Sequence, residues 1–144
     1  MSNTPEAIVR RWFKEVWDDG NEDAIEQLTS PDIVVHGLGG TDALPMRGPA
    51  EFKKVFHTFH EALGDLEIAV DRTITQGDTC AAYCRVKGHH VGHALGGPPT
   101  NKPVAFAGVT IVIVRDGKIV EAWNCFDFLA MYQQIGWVGN PPLP

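Results

Sequence analysis

The chain has 144 residues, of which 44% are hydrophobic and 21% charged. This composition predicts one soluble globular domain over residues 1–144, with a loose C-terminal tail from residue 139. The formal net charge of −6 argues against nucleic acid or an anionic membrane surface as a partner.

The remaining composition signals favour a cytoplasmic protein. No apolar run approaches the roughly 20 residues that a membrane helix needs. The N-terminal residues interleave charged and apolar positions, unlike a signal peptide. Three cysteines without CxxC spacing favour neither a disulfide framework nor a structural zinc site.

Helical patterns dominate the first half of the chain. Thr4-Pro5 is typical of a helix start, because a hydroxyl N-cap precedes a proline at the first helical position. Gly48-Pro49 opens another helix, which carries apolar residues at helical spacing. The predicted helices cover 4–19, 21–28 and 48–63, with a short strand at 33–37 and a glycine-rich loop at 37–48.

The second half changes to a period of two, which is typical of strands. Strands are predicted over 66–75, 79–90, 104–114 and 118–126, followed by a helix that ends at Gly136. Asp116-Gly117 is a strong hairpin signal between the last two strands. The pattern predicts an α+β domain whose helices lie across the concave face of a strongly curved, mostly antiparallel sheet. Such an arrangement leaves a conical pocket for a small molecule.

The stretch GHHVGHALGGPPTNK, residues 88–102, holds three of the six histidines. Side chains alternate between the faces of a strand, so the apolar positions of 79–90 place His90 inside and His89 outside. This tandem pair therefore cannot bind one metal ion without a bulge. His90 with His93 remains open as part of a metal site, and a hydrogen-bonded structural histidine is the simpler alternative.

Asp127 is the candidate general base. It lies between Phe126 and Phe128, and such partial desolvation would raise the pKa of its carboxyl group. The alternative is that it only caps the last helix. Counting from the hairpin pairs Val114 with Ile119, Val112 with Glu121, Thr110 with Trp123 and Phe106 with Asp127. A bulge before the last helix would reverse the face of Asp127, so strand parity leaves both alternatives open.

Helix and strand periodicity also predict an aromatic wall for the pocket, formed by Trp12, Phe52, Phe56 and Trp123. The alternative for at least one of these side chains is that it fills core behind the pocket. The strand 104–114 is apolar on both faces, which predicts a homodimer through the outer face of the sheet.

From about residue 5 to Gly136, the chain resembles the SnoaL-like polyketide cyclases, a branch of the NTF2-like superfamily, and the second half is the most specific part of the resemblance. The resemblance rests on GHHVGHALGGPPTNK and on DGKIVEAWNCFDFLAMYQQIG, in this order and spacing. It implies a cone-shaped α+β barrel, commonly dimeric, that closes a polyketide ring by intramolecular aldol condensation without a cofactor. It also implies that Asp127 is the acid/base, that His90 is the histidine of the glycine–X–His motif, and that His36 ends the first strand. Asn101 departs from the glycine usual in the family.

Three hypotheses follow for this sequence. In the first, a cofactor-independent cyclase, isomerase or lyase uses Asp127 to remove a proton α to a carbonyl. His90, helped by His36, donates to the enolate oxygen, and Asp127 and His90 face each other across one pocket. His93 and the aromatic wall complete the candidate substrate-binding residues. The second hypothesis is a non-catalytic module that binds an apolar small molecule, and the third is a metal-dependent enzyme using His90, His93 and His36.

Overall fold

The computed structural model describes residues 2–38 and 44–139. Residues 39–43 of the predicted glycine-rich loop and 140–144 of the predicted tail lie outside the described residues. The helices are α1 (Pro5–Arg11), α2 (Asp23–Leu28), α3 (Gly48–Ala62) and α4 (Phe128–Gln134), and a π-helical segment covers Trp12–Asp18. The strands are β1 (Thr29–His36), β2 (Met46–Arg47), β3 (Leu63–Gln76), β4 (Thr79–His90), β5 (Pro103–Arg115) and β6 (Lys118–Phe126). Within these residues, no helix is both long and apolar enough to span a bilayer.

The six strands form one curved sheet in the order β2-β1-β6-β5-β4-β3. Neighbouring strands run antiparallel except β1 and β6, which are parallel. Helices α1, α2 and α3 and the π-helical segment pack against the sheet and bury a common apolar core with it. The predicted α+β fold is confirmed, but the sheet is open rather than a closed barrel, since β2 and β3 are its edges.

Strand β4 alternates as its sequence predicts. Cys80, Cys84 and His90 are completely buried, whereas His89 is exposed. In β5, Val112 faces the core and Ile111 the outer surface, where its side chain is 39% exposed. The inner face of the sheet therefore follows from the period of two.

Strand β6 departs from the predicted register because of a bulge. Val114 pairs with Ile119, as predicted, but Ile113 pairs with Glu121, so one additional residue, Val120, is inserted on β6. An inserted residue reverses which later side chains face inward. The predicted pairs beyond Val114 are therefore wrong.

The bulge changes the partners of two important positions. Thr110 pairs with Asn124 instead of Trp123. The backbone N–H of Asp127 donates to the carbonyl of Ala107 at 2.9 Å, instead of lying opposite Phe106.

Candidate functional site

One apolar cavity lies between the helices and the concave face of the sheet. It encloses about 710 Å³, including its open mouth. Its walls come from the π-helical segment, α3, the start of α4 and strands β1 and β3–β6. Among the described residues that line it there is no Asp, Glu, His, Lys or Arg. The lining of the cavity is therefore complementary to a largely apolar molecule.

The π-helical segment sets the aromatic wall of the cavity. Side chains five residues apart point about 140° apart in an α-helix of 3.6 residues per turn. In this segment the N–H of Asp19 donates to the carbonyl of Lys14, five residues back, at 2.9 Å. This winding brings side chains five apart to the same side. Trp12 and Trp17 consequently both line the cavity.

Phe52 of α3 joins these two tryptophans. Its ring centroid lies 5.0 Å from that of Trp12 and 6.0 Å from that of Trp17, and only 2% of Phe52 is exposed. Aromatic pairs at these separations contribute about 0.5–1.5 kcal/mol each beyond burial. Trp12 and Phe52 therefore occupy the wall positions that their periodicity predicts.

The other two aromatic residues of the predicted wall lie elsewhere. Phe56 is buried behind the cavity, with its ring centroid 4.4 Å from that of His60, and it is not among the lining residues. Trp123 is 39% exposed on the outer face, because the Val120 bulge reverses the parity of β6. Its ring stacks on that of His36, with the centroids 5.3 Å apart.

The bulge instead turns Asn124 toward the cavity, where it meets Thr110 of β5. The Thr110 hydroxyl donates to Asn124 Oδ1 at 2.9 Å, and Asn124 Nδ2 donates to the backbone carbonyl of His36 at 3.0 Å. Both side chains line the cavity. The sequence prediction missed this pair, although the polar Thr110 on the otherwise apolar inner face of β5 was a usable signal.

Asp127 caps α4 and faces solvent. Its Oδ1 accepts a hydrogen bond from the backbone N–H of Ala130 at 3.0 Å, and the residue is exposed. The flanking Phe126 and Phe128 both line the cavity, but Asp127 does not. It therefore lies at the edge of the cavity, with one carboxylate oxygen engaged by the helix.

His90 is completely buried and holds the loop that follows β4. The backbone N–H of Thr100 donates to His90 Nδ1 at 3.2 Å, so in the neutral ring the hydrogen is on Nε2. Nε2 has no hydrogen-bond partner among the described residues. The Trp137 ring lies edge-on to the imidazole, with the centroids 5.0 Å apart.

The structure separates Asp127 from His90. Asp127 lies beside Ala107, which pairs with Arg85 on β4. His90 lies five residues beyond Arg85 on β4, and at 3.3 Å per residue these two positions are about 16 Å apart. The arrangement differs from the predicted one, in which both face a single cavity, because Asp127 caps α4 and His90 is not a lining residue. Their catalytic roles stay predictions.

The remaining histidines do not complete a metal site. His36 Nε2 lies 2.7 Å from Glu121 Oε2. His93 is exposed, and its backbone N–H donates to Glu61 at 3.0 Å. Across residues 2–38 and 44–139, no three His, Cys, Asp or Glu side chains are grouped to hold a metal ion. The geometry thus gives no support to a site built from His36, His90 and His93.

The α+β fold has an open, curved sheet with an apolar cavity between its concave face and the helices. The model of the SnoaL-like polyketide cyclase family matches residues 7–135. The chain belongs to this family.

Two characterised relatives share modest sequence identity with the chain. The nogalonic acid methyl ester cyclase of Streptomyces nogalater is 26% identical, over 83% of this chain and 89% of the relative. The aklanonic acid methyl ester cyclase DauD of Streptomyces sp. (strain C5) is 24% identical, over 98% of this chain and 92% of the relative.

Solved structures show the same fold. IdmH from Streptomyces antibioticus has a TM-score of 0.79 and 27% identity, covering 92% of this chain and 98% of IdmH. TsrD from Streptomyces laurentii has a TM-score of 0.79 and 19% identity, covering 92% of this chain and 95% of TsrD. The resemblance to TsrD concerns the fold alone.

Proposed function

We propose that the protein is an acid–base enzyme of the cyclase type, acting without a cofactor on a small apolar or polycyclic ketone. The observation that carries the proposal is the apolar cavity with its aromatic wall. Relatives that are methyl ester cyclases add support. Because ring-shaped substrates bury mostly carbon surface, this lining favours them over charged metabolites.

Asp127 is the proposed base. Its neighbours Phe126 and Phe128 line the cavity, and its Oδ2 accepts no hydrogen bond from the described residues, whereas Oδ1 caps α4. In the proposed reaction the carboxylate takes a proton α to a carbonyl. The resulting enolate attacks a second carbonyl of the same molecule, which forms the new C–C bond. The alkoxide then takes that proton back from the protonated Asp127 carboxyl group, which restores the carboxylate.

His90 stays the predicted donor to the enolate oxygen. That role requires Trp137 and the loop 91–102 to move, because Nε2 is completely buried in the described conformation. It also requires His90 to approach Asp127, because about 16 Å of β4 separates His90 from the level of Asp127. In that conformation His90 fixes the loop through Thr100.

The proposal is tested by deuterium exchange into the α positions of 2-tetralone, followed by proton NMR. Asp127→Asn removes the base and keeps a helix cap, since Asn and Asp are equivalent caps. We expect at least a 100-fold loss of exchange, the lower range for general acid–base catalysis. Asp32→Asn, which removes an exposed carboxylate on β1, is the control and should exchange like the wild type. Unchanged exchange in Asp127→Asn would remove Asp127 from the mechanism.

A non-catalytic binding module is the second candidate. It is favoured by the exposure of Asp127 and by the lack of an acid or base among the described residues that line the cavity. Under this alternative the wild type binds 2-tetralone without exchanging its α hydrogens. The same NMR samples therefore separate the two candidates.

The outer face of the sheet supports a proposed homodimer. Tyr83, Val109 and Ile111 are 38–45% exposed on β4 and β5, and Trp123 on β6 pairs with Ile111. A contiguous apolar patch of this kind is typical of an interface. We expect sedimentation to show a dimer for the wild type and a monomer for Ile111→Lys. Leu129→Lys, a matched change on exposed α4, should remain dimeric. A wild-type monomer at micromolar concentration would exclude the homodimer.

A further inference from the structure

The polar pair in the cavity, Thr110 and Asn124, has a fixed hydrogen-bond direction. A backbone carbonyl can only accept, so the Asn124 atom that bonds to the His36 carbonyl at 3.0 Å must be the amide nitrogen. Asn124 Oδ1 therefore faces Thr110, whose hydroxyl must donate the 2.9 Å bond. The orientation of the amide follows from these contacts alone.

This network leaves one donor and several lone pairs for a ligand. The second N–H of Asn124 has no partner within residues 2–38 and 44–139, and no donor in that part of the chain bonds to the Thr110 hydroxyl oxygen. Thr110 is only 3% exposed, and the surrounding lining is almost entirely carbon. A ligand without polar atoms would cover these groups and leave them unpaired, which costs binding free energy.

We propose that Asn124, held in orientation by Thr110, determines specificity by donating a hydrogen bond to a ring carbonyl oxygen of the bound molecule. The Thr110 oxygen would accept from a neighbouring hydroxyl. The inference rests on the proposed function in that it places the substrate in this cavity, but it does not depend on the role of Asp127. It narrows the substrate class to flat rings that carry a carbonyl oxygen at the β5–β6 wall.

The test compares two rigid probes that differ in one group, 9-fluorenone with a ring carbonyl and fluorene with a methylene. The two probes have nearly the same shape and carbon surface. Because 9-fluorenone has no α hydrogen, its binding is measured without enolate formation or proton exchange. A single net hydrogen bond corresponds to roughly 2- to 10-fold in affinity. We expect titration calorimetry to show this preference for 9-fluorenone in the wild type.

The variants separate specificity from folding. Asn124→Leu should bring the affinity ratio of the two probes close to one while fluorene still binds. Thr110→Val should reduce the ratio, and Thr110→Ser, which keeps the hydroxyl, should restore it. Val112→Ala, an apolar change in the same lining, should alter both affinities together and leave the ratio unchanged.

Infrared spectroscopy gives a readout that a purely structural role would not move. The carbonyl stretch of bound 9-fluorenone should lie at lower frequency in the wild type than in Asn124→Leu. Equal probe affinities in the wild type, or the same carbonyl frequency in both proteins, would overturn the inference while leaving the cavity assignment intact. If neither probe binds the wild type, the cavity assignment fails and this inference with it. Loss of α-proton exchange in Asp127→Asn is a separate result and bears only on catalysis.

Discussion

Gly108 on β5 makes room for a cavity-lining aromatic ring. Gly108 pairs with Phe126 of β6, and a Cβ added at position 108 would collide with the Phe126 ring and lie 2.7 Å from its Cα. Rotation of the ring cannot relieve a contact with the backbone, so the strands must also shift. Overpacking of this kind costs about 1–3 kcal/mol. For Gly108→Ala we expect a melting temperature about 3–10 °C lower, from the entropy of unfolding of a domain of this size.

Thermal and urea unfolding, followed by far-UV circular dichroism, measure this change. Gly139→Ala is the control, since a Cβ there meets nothing within 4 Å. Adding Phe126→Leu to Gly108→Ala should recover part of the loss, with a coupling free energy of about 0.5–3 kcal/mol. The recovery should stay incomplete, because the Phe126 backbone is unchanged. A Gly108→Ala protein as stable as the wild type, or strictly additive variants, would refute the close packing of these two positions.

Two other predictions concern titratable groups. Burial lowers the pKa of His60, so below its ordinary value of about 6.5 the unfolded chain binds a proton more readily than the folded one, and stability falls as the pH falls. The loss of unfolding free energy between about pH 7 and pH 5 should be smaller in His60→Gln than in the wild type or in the exposed control His89→Gln. Equal losses in all three proteins would contradict this. Burial raises the pKa of Cys84 to about 12, whereas Cys125 is exposed. Dithiobis-nitrobenzoate should therefore label Cys125 rapidly and Cys84 only after unfolding, and rapid labelling of Cys84 in the native protein would show that β4 is not packed as described.

The sequence predicted the elements whose side chains repeat regularly. The period of two in β4 is uninterrupted, and it correctly placed His90 inside and His89 outside. Phe52 followed in the same way from the helical spacing of α3. In these elements each residue adds the same rotation, so the face of one residue determines the faces of the others.

The prediction went wrong where a single residue interrupts that repetition. Val120 forms a bulge in β6, and no glycine, proline or other local signal marks it between Ile119 and Glu121. Its consequence extends along the strand: Trp123 moves to the outer face, and Asn124 enters the cavity opposite Thr110. The polar pair of the cavity wall was therefore missed through one unrecognised insertion.

The π-helical segment shows the same physics in a helix. π-helical turns are rare and occur mostly as short irregularities within α-helices. Here such a turn brings Trp12 and Trp17 to one side, in contact with Phe52. In regular α-helical winding the two tryptophans would diverge by about 140°, and one of them would leave the cavity wall. The two irregular segments thus supply two different parts of the cavity lining. The π-helical segment supplies the aromatic wall, and the bulge in β6 supplies the polar pair. Regular elements form the scaffold of this cavity, and local departures from regularity determine which side chains line it.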